Sequence, residues 1–229
     1  MKSIQIIALI IVLIFSHTVH SQTEVIVRDL ETWSSVSASK KFESNAKLEL
    51  EQSLRLYDNT SKVDQYFTNL SLELPVFKFA SITGGLRYIR DRDKDDGEYE
   101  NHLRFNADLN FKHEYERFTF KYRLRLQTKN ELGYSRDEGD YLRNATRVKV
   151  GVNYNIRNWK FDPEIAGEIF RESGKYMLSS FNKYRLTLST KYKINKLMDL
   201  KAFYRFEREL GVSYPLSTNI VGFNLTFNL

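Results

Sequence analysis

The chain has 229 residues, no cysteine, a net charge of +6 and 14% aromatic side chains. The missing thiol excludes disulfides, thiolate catalysis, cysteine-ligated metals and a lipidated cysteine anchor, and so many rings with few glycines and prolines argue against disorder. A basic balance can point to nucleic acid or to an anionic surface, but the amino terminus directs the chain out of the cell, where nucleic acid is not an expected partner.

That terminus carries Lys2, an apolar stretch from Ile4 to Phe15, and a polar region ending in Val19, His20 and Ser21. Charge, apolar core and small residue in this order read as a secretory signal peptide over residues 1–21. The apolar run is too short for a spanning helix, which needs about 20 residues. Residues 22–229 are then a single mature domain.

From Trp33 onward the chain alternates apolar and polar residues. After a segment at Trp33 to Ser39, Ala46, Leu48, Leu50, Leu54 and Leu56 oppose Lys47, Glu49, Glu51, Ser53 and Arg55. Thr68, Leu70, Leu72 and Leu74 form the next apolar face, and Ala80, Ile82, Gly84, Leu86 and Tyr88 the one after. The contrast is cleanest where Leu103, Phe105, Ala107, Leu109 and Phe111 oppose His102, Arg104, Asn106, Asp108 and Asn110. Phe118, Phe120, Tyr122, Leu124 and Leu126 then oppose Thr119, Lys121, Arg123, Arg125 and Gln127. Val148, Val150, Val152 and Tyr154 oppose Arg147, Lys149, Gly151 and Asn153, and Phe161, Ile165 and Ile169 oppose Asp162, Glu164 and Glu168. The pattern continues with Tyr184, Leu186, Leu188 and Tyr192 against Lys183, Arg185, Thr187, Ser189 and Lys191. Leu200, Ala202, Tyr204 and Phe206 precede a final strand carrying Phe223, Leu225, Phe227 and Leu229.

Side chains alternate faces along a strand, so each segment is a two-faced strand long enough to cross a bilayer. Long polar connections at Arg90 to Glu100, Thr128 to Tyr141, Glu172 to Ser180 and Glu209 to Asn219 alternate with tight ones. Aromatics such as Phe111, Phe118, Tyr154, Trp159, Phe161 and Tyr192 gather near the tight turns, where an interfacial girdle belongs. The pattern predicts an all-β, transmembrane, antiparallel up-and-down β-barrel in the outer membrane. Counting back from a last strand that ends in the periplasm reaches eleven, whereas bacterial single-chain barrels are even-numbered. A short first strand at Glu24 to Arg28 would give about twelve, the expected number; a lumenal Trp33 segment would give about ten.

The stretches ETWSSVSASKKF, GLRYIR, NHLRFNADLNFKHEYERFTFKYRLRLQ, YLRNATRVKVGVNYNI, PEIAGEIF and KYRLTLSTKYKIN resemble a family of uncharacterised outer-membrane barrels common in Bacteroidetes. The resemblance covers nearly all of the mature chain. It implies an outer-membrane location and supplies no catalytic residues.

The chemistry sits on the polar face. Lys121, Arg123, Arg125, Arg147, Lys149, Lys183, Arg185 and Lys191 flank the acidic Asp162, Glu164 and Glu168, with Glu49 and Glu51 on another wall. Opposite charges on neighbouring strands can pair and lace the lumen. A basic excess around an open path would instead favour anions. A narrow passive channel or structural membrane protein is therefore expected, with no enzymatic activity, cofactor or metal. Its expected partners are outer-membrane lipid, lipopolysaccharide and the barrel-assembly machinery. The alternatives are a lipid-modifying enzyme, which would need His102 or His113 beside a nucleophile and an acid, and a surface-binding barrel presenting Tyr134, Tyr141, Tyr176 and Tyr214. The acidic loop Asp91, Asp93, Asp95, Asp96, Gly97, Glu98 and Glu100 is not an EF-hand, because its sixth and twelfth positions hold Asp96 and His102.

Overall fold

A computed structural model describes residues 27–93, 97–133, 142–173 and 180–229. The expected signal-peptide segment, residues 24–26 of the expected first strand, Asp95, Asp96, Tyr134, Tyr141 and Tyr176 lie outside the described residues. The described chain is built of strands: β1 (Val27–Lys41), β2 (Lys47–Tyr57), β3 (Lys62–Phe77), β4 (Ala80–Arg92), β5 (Tyr99–Tyr115), β6 (Phe118–Glu131), β7 (Arg143–Tyr154), β8 (Phe161–Ser173), β9 (Phe181–Lys193), β10 (Met198–Glu209) and β11 (Leu216–Asn228). Each pairs antiparallel with its neighbours in sequence, and β1 pairs with β11 to close the barrel.

The closed barrel has eleven strands, where about twelve, or about ten, were expected from the even-number rule. Val27 and Arg28 are the first residues of β1 and do not form a strand of their own. The Trp33 segment is part of the wall, hydrogen-bonded to β2 on one side and β11 on the other. An odd count makes the first and last strands run the same way, so the closing pair is parallel. Its slanted hydrogen bonds are supplemented on the lumen side by Ser37 Oγ donating to Thr226 Oγ1 (3.0 Å) and Ser39 Oγ donating to Asn228 Oδ1 (3.1 Å).

The alternation read from sequence sets the two faces. Leu50, Leu70, Leu126, Val150, Ile165 and Leu188 are exposed on the outside, while Ser53, Asn69, Asp108, Glu168, Thr187 and Ser189 are buried within. A water-soluble barrel has the reverse arrangement. One end carries tight turns, residues 78–79 between β3 and β4 and residues 116–117 between β5 and β6, the latter with Glu116 at φ 51°. Aromatic pairs collect there: Phe118 and Tyr154 lie 4.8 Å apart, Phe161 and Tyr192 4.9 Å, and Trp159 and Phe161 5.9 Å between ring centroids. At the opposite end β6 stops at Glu131 and β7 begins at Arg143.

The small hydrophobic core lies beside the closing seam, where Trp33, Phe203 and Ile220 pack together. Gly222 makes this possible. A Cβ there would stand 2.2 Å from Phe203 Cζ and 2.5 Å from the Trp33 carbonyl oxygen, a backbone atom fixed by the ladder. Gly222→Ala is expected to destabilise the barrel by about 3 kcal/mol through overpacking. Urea unfolding of the refolded protein, followed by tryptophan fluorescence, measures it.

Candidate functional site: a basic lumen

The polar faces of the strands converge on the lumen, and their register aligns charges in rows. Along one row Arg123 (β6) faces Lys149 (β7), which faces Glu168 (β8), then Arg185 (β9) and Glu207 (β10). Glu168 accepts from Arg123 at 2.8 Å and lies 3.5 Å from Arg185. Arg185 also pairs with Glu207, which holds Lys183 at 2.9 Å. In the adjacent row Arg125 grips Asp108 with two hydrogen bonds of 2.7 and 2.6 Å, the forked geometry that guanidinium favours. Nearer the tight-turn end, Glu164 takes Lys121 at 2.5 Å and Lys201 at 3.5 Å, and Lys191 pairs with Asp199 at 2.7 Å.

The thirteen expected lumen residues divide accordingly. Lys121, Arg123, Arg125, Lys183, Arg185, Lys191, Glu164 and Glu168 join these ion pairs. Glu51 lies 3.6 Å from Arg87, while Glu49 binds Lys47 on its own strand at 2.6 Å. Asp162 accepts the backbone N–H of Ile156 in the β7–β8 connection at 3.3 Å. Lys149 lines the lumen, and Arg147 turns to an aromatic ring.

Aromatic shelves are the element missed from sequence. Arg55 lies 3.6 Å from the centre of the Trp33 ring, Arg87 3.6 Å from Phe67, Arg205 3.8 Å from Phe203 and Arg147 4.2 Å from Phe170. Arg55, Arg87, Arg104 and Arg205 share lumen parity with the expected residues, so alternation alone could have included them. The rings could not be found so simply, because an apolar residue on a polar face reads as noise in the pattern.

The lumen has two parts. At the tight-turn end a vestibule of about 1180 Å³ is bordered by Lys47, Glu73, Thr83, Asn110 and Lys121 among others. Deeper in, a chamber of about 190 Å³ is lined by nine arginine or lysine side chains and only two carboxylates, Glu51 and Glu168. Arg123 and Lys149 border both spaces and so mark the passage between them. Phe67 and Phe170, which carry Arg87 and Arg147 at the chamber, are almost wholly buried, as are Ile89, His102 and Ile220.

The histidines do not meet. His102 and His113 lie near opposite ends of β5. His102 Nε2 sits 3.0 Å from Glu100, and ligand atoms of Glu100, His102 and Glu131 lie within 4.8 Å of one another, the one grouping among the described residues with the spacing to hold a metal ion.

Glu168, with its side chain 6% exposed, is one of the two carboxylates of the chamber. Removing one partner of a buried pair leaves the other charge uncompensated. Glu168→Gln is therefore expected to cost about 3 kcal/mol of folding stability. Denaturant titration of wild type and variant in the same detergent checks this.

A search of curated proteins finds no match to the chain. A family model described as a protein of unknown function, DUF2490, matches residues 30–213, which run from β1 into the β10–β11 connection. Those residues contribute the wall and most of the lumen just described, and the chain belongs to the DUF2490 family.

Proposed function

We propose that this protein is an outer-membrane β-barrel that acts as a narrow passive channel for small anions. The observation that carries the reading is the chamber in which nine cationic side chains face two carboxylates, inside a wall whose outer surface is apolar. Rings of arginine and lysine select anions in membrane pores. Eleven strands fall between filled eight-stranded barrels and wide porins, a size suited to small solutes.

Several features support the membrane location. The strands are 11 to 17 residues long, enough for a tilted strand to cross a hydrocarbon core. The aromatic pairs at the tight-turn end match an interfacial girdle, and tight turns face the periplasm in bacterial outer-membrane barrels. In that orientation the vestibule opens to the periplasm and the longer connections face outward, against lipopolysaccharide. Secretion through the signal peptide and insertion by the barrel-assembly machinery belong to the same proposal.

Two measurements test it. In planar bilayers under a potassium chloride gradient, the refolded protein should conduct with a reversal potential on the anion side. Arg123→Glu and Lys149→Glu together should reduce that preference at least severalfold or reverse it. A folded but silent barrel overturns the channel. On the outer surface, Leu124→Arg should lower folding stability in lipid vesicles by about 2–4 kcal/mol; unchanged stability would count against membrane embedding.

A further inference from the structure

We propose that the arginine chamber is a binding site for phosphate-type oxyanions, so that the lumen holds a phosphate or phosphoryl group and does not merely favour negative charge. This rests on the anion-path reading and deepens it. Three features carry the inference: how the arginines are held, what their free edges offer, and how large the space is.

The arginines are positioned by stacking. Arg55, Arg147 and Arg205 lie over Trp33, Phe170 and Phe203 within 4.2 Å of the ring centres, whereas Arg87, over Phe67, already gives its Nε–H to Asn69 and lies 3.6 Å from Glu51. A ring face holds the guanidinium plane while leaving its N–H edge available, whereas a carboxylate consumes that edge. The Nε atoms of Arg55, Arg104 and Arg147 are buried without a hydrogen-bond partner. A buried donor left unmade costs free energy, so the protein gains when an acceptor enters.

The acceptor that fits is a tetrahedral oxyanion. Its several oxygens can take forked hydrogen bonds from guanidinium groups on different walls at once, with two negative charges to set against the cationic excess. Chloride offers no directional acceptors, and a carboxylate offers two oxygens in one plane. The chamber, about 190 Å³, has room for a phosphate group but not for a nucleotide. A larger phosphate ester would place its phosphoryl group here and its remainder in the adjoining vestibule, past Arg123 and Lys149.

The test is calorimetric titration of the full refolded chain, in a phosphate-free maltoside detergent at low salt, with inorganic phosphate and separately with potassium chloride. Saturable phosphate binding that equal ionic strength of chloride does not reproduce is expected. Arg104→Gln and Arg147→Gln should each weaken it at least tenfold, with folding verified by heat-modifiable migration on gels. Lys62→Gln, at the exposed β2–β3 turn, should leave it unchanged. Absence of saturable binding to wild type, equal binding of chloride, or full affinity in both arginine variants overturns the site. If the arginine variants do not fold, the wild-type comparison of phosphate with chloride decides. Conductance separates the two proposals: a silent barrel that binds phosphate removes the channel and keeps the site. A conducting barrel whose chloride current phosphate does not reduce, and which shows no binding, does the reverse.

Discussion

Everything inside this barrel depends on one closure, the parallel pairing of β1 with β11. A barrel of eleven strands cannot close antiparallel, because the first and last strands of an odd series run in the same direction. The seam is accommodated locally. Serine hydroxyls bridge it on the lumen side, and glycine at position 222 lets the backbone of β1 at Trp33 and the Phe203 ring approach closely. The indole in turn donates its Nε1–H to Glu31 at 2.7 Å and offers its face to Arg55. The closure and the lumen are thus joined through one side chain.

The second constraint is electrostatic. A closed wall with polar residues facing inward must satisfy many charges in little space, and two solutions operate side by side. Around Glu168, Glu207, Asp108 and Glu164, arginines and lysines are matched with carboxylates. Around Trp33, Phe170 and Phe203, arginines are supported by rings instead, and Arg87 has both the Phe67 ring and Glu51. The first arrangement stiffens the wall by linking β5 to β6, β6 to β8 and β9 to β10. The second leaves positive potential in the space, since stacking orients a cation without neutralising it. A lumen built only in the first way would be a structural filling; the mixture is what the proposed anion path rests on.

Much of this was legible in the chain. Strand identity, face assignment and the alternation of tight and long connections follow from period-two patterning, and Leu124 against Arg123 or Val150 against Lys149 stand on the faces that pattern assigns. Ten of the thirteen expected lumen residues enter ion pairs for the same reason. The barrel of eleven strands departs from the even-number expectation because a parallel seam can close an odd series, and a strand's extent at the seam is set by its partner, not by its own residues. Val27 and Arg28 belong to β1 because Leu216 and Ser217 lie beside them.

The sequence by itself determined that the chain forms long two-faced strands with a charged side and an apolar side, since side-chain direction alternates with every residue whatever the strand pairs with. Only the tertiary structure decided which charges are matched, which are shelved on aromatic rings, and where the lumen narrows to a chamber. Those outcomes depend on register between strands and on distances across a closed wall. Arg123 and Glu168 are 45 positions apart, with an intervening strand between them, and no local pattern records that they touch.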